Sequence, residues 1–372
     1  STTAEILKAA SLKTLDMSGV ASMKAVFPNE GFTLDGFAML EKVTVKEGLV
    51  VGASAFKGCT SLEAIENAVC LDGASAFEGS ALKTIKLTNT VIPVNAFKNA
   101  KALESVKNAS GTTFYATEIN NGAFAGAIAL EYLDLSKTTY VGENAFDGGI
   151  EYLYYGGTIE DWCNITFANE LSNPIGYEGF YMLDTNGTIS YKGQKYSKFV
   201  DIEIPDTITK IGDYQFADFY DLETVKIPSS VTSIGTKAFS SCSSLREVTI
   251  EEGGLLSVGT YAFSFCDKIE AINFPNTVET INFGVFYLCD SIGYLSIPFV
   301  GENADGTGKT HFGFIFGSES SNDNYVRYVS TLEITGNMKS IEKYAFVRCR
   351  IGELIISGEL EKIKSECQNC KS

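Results

Sequence analysis

Histidine occurs once among the 372 residues, at His311, and tryptophan once, at Trp162. A Ser-His-Asp or Cys-His arrangement, or a histidine-based zinc site, would have to use that single imidazole. It lies in GKTHFGFIFG, amid aromatics, where a packed or surface role is expected and no catalytic residue is assigned. Basic residues are also scarce, 29 Lys and Arg against 46 Asp and Glu, for a net charge of −17. They are scattered singly, so the field repels nucleic acid and anionic lipid, and neither is expected as a partner. No apolar run approaches the roughly 18 residues of a spanning helix, so membrane insertion is not expected. The opening STTAEILKAA lacks the basic and apolar regions of a signal peptide, which is expected to be absent from this numbering. Nine cysteines, an odd number, do not complete a disulfide framework.

Apolar residues make up 45% of the chain and charged residues 20%, as in a folded protein with a sizeable core. The core is written as a repeat. Phenylalanines at 37, 56, 77, 97, 124 and 146, then 216, 239, 263 and 286, recur at steps of 19 to 27 residues, with 23, 24 and 23 between the last four. A period in the low twenties falls in the leucine-rich-repeat range of solenoids.

One unit reads LETVKIPSSVTSIGTKAFSSC (222–242). Val225 and Ile227 alternate with Thr224 and Lys226, giving a short strand with one apolar face. Pro228 ends the pairing. Val231 and Ile234 form a second apolar edge, Gly235 permits a tight corner, and Ala238-Phe239 plugs the interior. LEKVTV, LKTIKL, LEYLDL, LREVTI, IEAINF and IGYLSI repeat the strand. No unit of this size can bury its apolar side alone, so parallel stacking is expected, with like residues in ladders. The predicted fold is a mainly β repeat solenoid of leucine-rich-repeat type, with short parallel strands, a period of about 23 residues and a single domain over 1–372. Thr3 is expected to cap a short N-terminal helix through EILKAA that covers the first rung.

Cys59, Cys242, Cys266, Cys289 and Cys349 each stand three residues after a phenylalanine, a position that Ser80 and Ala100 fill elsewhere. Exchange among small residues argues for size over reactivity, so these are expected to be buried free thiols. Cys367 and Cys370 form a CxxC without a second pair, and fit a fading final repeat better than a zinc or redox site.

Set out in this way, I-P-x-x-V-x-x-I-G-x-x-A-F-x-x-C-x-x-L resembles the BspA-like leucine-rich repeats of bacterial surface proteins. IPSSVTSIGTKAFSSCSSL and INFPNTVETINFGVFYLCDSI carry the likeness best. YYGGTIEDWCNITFANELSNP and IPFVGENADGTGKTHFGFIFG are similar to variant units of that family. The resemblance implies a secreted or cell-surface location, a noncatalytic role in adhesion to a host or neighbouring-cell protein, and no cofactor.

Two stretches break the period. Phe146 and Phe216 are 70 residues apart, so 147–200 is expected to hold degenerate repeats, with a projecting two-residue hairpin at Asn186-Gly187 in FYMLDTNGTISYK. Phe286 and Phe346 are 60 apart, so 298–330 is expected to be one irregular longer repeat with Phe316 as its plug. The oxygen-rich ENADGTGKTH lacks the glutamate of a calcium loop, and no metal site is assigned. Outward strand positions, mostly Thr, Ser, Lys or Glu, turn aromatic at Tyr132, Tyr152 and Tyr154. These three, with Trp162 nearby, are the candidate ligand-binding residues, for a protein partner or for a glycan. Against the platform stand a strand preference for the tyrosines and a core role for Trp162. The carboxylates Glu131, Asp134 and Glu151 would serve a glycosidase only if two of them met in a cleft.

Overall fold

The structure is a computed structural model of the chain and describes all residues except 1–10, 22–36, 132, 149, 151–152, 176–179, 185, 188, 192–193, 290, 321–327 and 365–372. The expected helix after Thr3 and the Cys367–Cys370 pair lie outside the described residues. The chain divides into two compact units, Ser1–Lys198 and Phe199–Ser372, and each repeats one kind of turn.

In the second unit the strand of each turn lies parallel to the next: Asp201–Glu203, Thr224–Ile227, Glu247–Ile250, Ala271–Asn273, Ser291–Ile297, Tyr328–Ile334 and Arg350–Ile356. The register sets Ile202, Val225, Val248, Ile272, Leu295, Leu332 and Leu354 side by side, and all but Leu354 are buried. A second parallel sheet, Lys210–Ile211, Ser233–Ile234, Ser257–Val258 and Thr280–Ile281, supplies the opposite apolar edge. Alternation explains the faces: the pattern along Glu247–Ile250 is exposed, buried, exposed, buried. The first unit follows the same plan, with Thr14–Met17, Lys42–Val45, Ala64–Glu66, Thr84–Leu87 and Ser105–Asn108 in one parallel sheet. A second sheet there runs through Val91–Ile92, Glu118–Ile119, Tyr140–Val141 and Thr166–Phe167.

Between the sheets the phenylalanines stack. Phe56, Phe77, Phe97, Phe124 and Phe146 follow at centroid spacings of 5.2, 5.8, 5.4 and 5.6 Å, and Phe216, Phe239, Phe263 and Phe286 at 5.2, 5.2 and 6.1 Å. Burying each ring contributes about 1.5–3 kcal/mol. The backbone holds them in line, because the Phe239 amide donates to Ala262 of the next turn at 2.8 Å and that of Phe216 to Ala238 at 2.7 Å. Left-handed residues bracket the Ala-Phe pair, for example Lys237 (φ 52°) and Ser241 (φ 63°), and curl it inward.

The corner glycine acts differently from the sequence expectation. Gly235 does not have a positive φ; instead a Cβ there would lie 2.6 Å from the Asp213 amide nitrogen, so glycine is needed for the close approach of the neighbouring turn.

The cysteine rung is buried, with Cys59, Cys242, Cys266 and Cys289 at 0% exposure. The thiol of Cys242 donates to the Phe216 carbonyl at 3.2 Å, that of Cys266 to Phe239 at 3.1 Å and that of Cys289 to Phe263 at 3.1 Å, always one turn back. Burial pushes the Cys266 thiol well above its usual value, which opposes formation of a nucleophilic thiolate. Cys349 is only half-buried.

In the irregular repeat, Ser291–Ile297 pairs directly with Tyr328–Ile334. The 3₁₀ helix Phe312–Phe316 supplies two plugs where one was expected. Phe316 packs on Phe286 at 5.8 Å, while Phe312 packs on Phe346 at 5.8 Å.

The hairpin also differs. Phe180–Leu183 and Ile189–Tyr191 do not pair with each other; both pair antiparallel with Gln194–Lys198. Asn186-Gly187 forms a turn closed by the Gly187 amide on the Asp184 carbonyl at 2.9 Å. These strands therefore extend the sheet begun by Leu153–Tyr155 sideways, in the order 153–155, 180–183, 194–198, 189–191.

Candidate functional site

The strand Leu153–Tyr155 sorts its residues by pleat: Leu153 and Tyr155 are buried and Tyr154 is half-buried on the outer face. In the parallel register Tyr154 sits opposite Tyr181, and the two rings stack at 5.4 Å with planes 23° apart. Tyr196, on the antiparallel strand, meets the edge of Tyr154 at 5.0 Å and is itself only 1% exposed. Tyr154 and Tyr181 therefore present a supported aromatic surface on the outside of the sheet. Tyr132 and Tyr152 lie outside the described residues.

Trp162 does not belong to this surface. Thr158 caps the helix Ile159–Cys163 reciprocally: its Oγ1 accepts from the Asp161 amide at 3.1 Å, and the Asp161 carboxylate accepts from the Thr158 amide at 2.9 Å. The helix turns Trp162 inward, where it is 1% exposed and packs on Tyr155 (5.3 Å), Phe180 (5.0 Å) and Phe167 (5.4 Å). An aromatic platform at Trp162 is thus corrected to a core plug. Burial, and then the charges of Asp161 and Asp134, push the Tyr155 phenol far above its usual value, and burial pushes the Cys163 thiol up to about 12.

Of the three carboxylates, Glu131 and Asp134 are described, and neither is given a place in a cleft. Asp134 is 5% exposed and accepts from the Ser136 amide at 2.9 Å, a turn role, and Glu131 is exposed. Glu151 lies outside the described residues. His311 is anchored through Nε2 at 2.9 Å from the Ser318 carbonyl oxygen, tying down the 3₁₀ turn.

A shallow cleft of about 280 Å³ lies between the 299–310 loop and residues 337–342. Two of its carboxylates are already bonded to neighbouring residues. Asp305 accepts from the Thr307 amide and hydroxyl at 2.9 and 2.6 Å, and Glu342 pairs with Lys364 at 2.8 Å and Ser340 at 2.7 Å. No group of three His, Cys, Asp or Glu able to hold a metal ion occurs among the described residues. None of the described helices is long and apolar enough to cross a membrane.

Sequence reasoning missed Tyr181 and Tyr196. The stretch FYMLD alternates as a strand should, but which strand lies beside Tyr154 depends on a register that spacing alone does not encode.

Parallel strands, a period in the low twenties and inward ladders of Leu, Ile, Val and Phe define a leucine-rich-repeat β-solenoid. The profile of the BspA-type leucine-rich repeat region, in six copies, matches residues 34–152, 187–304 and 324–372. The chain belongs to that family. No curated protein matches it. Among solved structures it is similar to a leucine-rich repeat protein from Bacteroides ovatus (18% identity, 92% of this chain, 83% of the other, TM-score 0.49). It is also similar to a leucine-rich cell surface protein from Faecalibacterium prausnitzii (17%, 93% and 83%, TM-score 0.39). The pneumococcal vaccine antigen PcpA is a third such structure (19%, 95% and 79%, TM-score 0.43). At these identities and scores the likenesses say nothing about what this chain binds.

Proposed function

We propose that the protein is a noncatalytic interaction protein, secreted or held at a bacterial cell surface, that binds a protein of a host or neighbouring cell through the outer face of its sheets. The observation that carries this reading is the division of labour along each strand. Inward residues such as Val248 and Ile250 build the core, while outward residues such as Glu247 and Thr249 are exposed. A scaffold of this kind can change its outer residues without changing its fold. The Tyr154–Tyr181 pair offers rigid area with hydroxyls, the chemistry enriched at protein contacts.

A glycan is the second reading, favoured by two part-exposed tyrosines side by side on neighbouring strands, whose rings and hydroxyls suit the apolar and polar faces of a sugar. The test is a parallel screen of the chain against extracellular-matrix proteins and a glycan array, repeated with Tyr154→Ala and Tyr181→Ala. Protein binding weakened by both substitutions supports the first reading. A glycan signal abolished by them, with no protein bound, replaces it with the second.

A further inference from the structure

Three consecutive turns read TKAFSS (236–241), TYAFSF (260–265) and FGVFYL (283–288). The phenylalanine plug stays, while the positions around it change from small and polar to aromatic. Tyr261 and Phe265 occupy the two left-handed positions of their turn, at φ 57° and 59°. Many sister turns place small or polar residues there, Ser54 and Gly58, Asn95 and Asn99, or Lys237 and Ser241, while Tyr214, Leu288, Tyr344 and Arg348 are the other bulky exceptions. Among the described residues, only the turn of Tyr261 and Phe265 carries an aromatic at both. A bulky side chain in this conformation costs about 1–2 kcal/mol. Burial does not offset that cost for Phe265, which is 44% exposed.

The rings are nevertheless held in place. Tyr261 meets Phe283 at 5.6 Å and Tyr287 at 5.4 Å, and Tyr287 meets Phe265 at 5.8 Å, with planes 77°, 69° and 86° apart. Glycine makes room for them. A Cβ at Gly284 would lie 2.5 Å from Tyr261 Cε1, and one at Gly317 would run into the Tyr287 ring. Four aromatics, two unfavourable backbone positions and two clearing glycines thus converge on one surface, which Phe283 roots on the buried Phe314 at 5.5 Å and Phe265 leaves open to solvent.

We propose that the cluster of Tyr261, Phe265, Phe283 and Tyr287 is a contact surface for a cationic, arginine- or lysine-bearing segment of a protein partner. This rests on the protein-binding reading above and names a second place where it is carried out. Mutually perpendicular rings do not make the flat platform that a sugar stacks on, but they present negative ring faces in several directions to a guanidinium or ammonium group. Charge agrees. The chain carries −17, and at the cluster itself Lys237 and Glu319 act with opposite signs, so the attraction for a basic segment comes from the field of the whole chain. A basic segment is drawn in by the long-range field and then held by the rings.

The test compares the full chain with the double variant Tyr261→Ser, Phe265→Ser. Both replacements are uncharged, and serine already occupies these positions at Ser54 and Ser241. Fluorescence polarisation with a labelled nona-arginine peptide at two salt concentrations is the readout, with circular dichroism to establish that the variant is folded. Binding to the wild type that weakens about tenfold in the variant, at unchanged net charge, is the expected result. Equal binding to both proteins means the field alone attracts the peptide and overturns the proposal, as does no binding to either. A neutral oligosaccharide that binds the wild type and not the variant overturns it in favour of a glycan. The Tyr154 and Tyr181 variants, run against the same peptide, should bind like the wild type. A failure here is therefore distinct from a failure of the matrix-protein screen.

Discussion

Ser80 stands three residues after Phe77, in the rung that Cys59 and Cys242 occupy in other turns. It is 3% exposed and its Oγ reaches no hydrogen-bond partner, whereas the thiols of Cys242, Cys266 and Cys289 reach a phenylalanine carbonyl one turn back. The longer carbon–sulfur bond and larger atom explain the difference in reach. A buried hydroxyl without a partner costs about 1–3 kcal/mol, so Ser80→Cys should stabilise the first unit by about 1–2 kcal/mol. Trp162 lies in the same unit and is the sole tryptophan, buried to 1% exposure, so its emission reports urea unfolding there. The expected record is a higher midpoint at unchanged slope, with the introduced thiol protected from thiol reagents until unfolding. Cys266→Ser should show the converse in the second unit, a loss of about 1–3 kcal/mol. If Ser80→Cys is buried yet no more stable than the wild type, and Cys266→Ser is neutral, the rung does not select for sulfur and the reasoning fails.

Two further outcomes follow from the same architecture. Phe239 is fully buried between Phe216 and Phe263, each 5.2 Å away, so Phe239→Ala should cost about 3–5 kcal/mol in thermal or chemical unfolding, and a loss under 1 kcal/mol would contradict the ladder's weight. The Ser357 hydroxyl, then the Tyr294 phenol, hold the Glu333 carboxyl below its usual value. Its folded value lies below its unfolded one, so its contribution is full above the ordinary carboxylate range and is lost as pH falls through the depressed value. The stability difference between wild type and Glu333→Gln should therefore be present at pH 7 and 5 and shrink towards pH 3; a difference that persists or grows at pH 3 would refute that assignment.

Much of this was readable in the residues because a stacked repeat writes its packing as spacing. The recurrence of Phe56, Phe77 and Phe97, and again of Phe216, Phe239 and Phe263, is a direct image of the ring columns. So is the alternation that buries Val225 and Ile227. What resisted reading were places where the chain leaves the period. Trp162 turns inward because a five-residue helix intervenes, signalled only by Thr158 and Asp161 at capping distance. The strands around Asn186 have more than one possible partner, and a tight-turn signal does not say which neighbour wins. Phe312 shares the work expected of Phe316 because a 3₁₀ turn places both on the column. The cluster around Tyr261 is visible only when turns some 23 residues apart are laid side by side, since its members meet across the stack.

The parallel register has a mechanical consequence. Within the second unit the hydrogen bonds from Thr224–Ile227 to Glu247–Ile250, and on to Ala271–Asn273, point along the direction of stacking. Tension applied along that direction would load the rungs in series, and each can give way without its neighbour. Such a unit lengthens in steps under pull, one turn at a time, each step releasing about 23 residues or roughly 80 Å of chain. Pulled from its ends, such a unit would dissipate force by unspooling turn by turn.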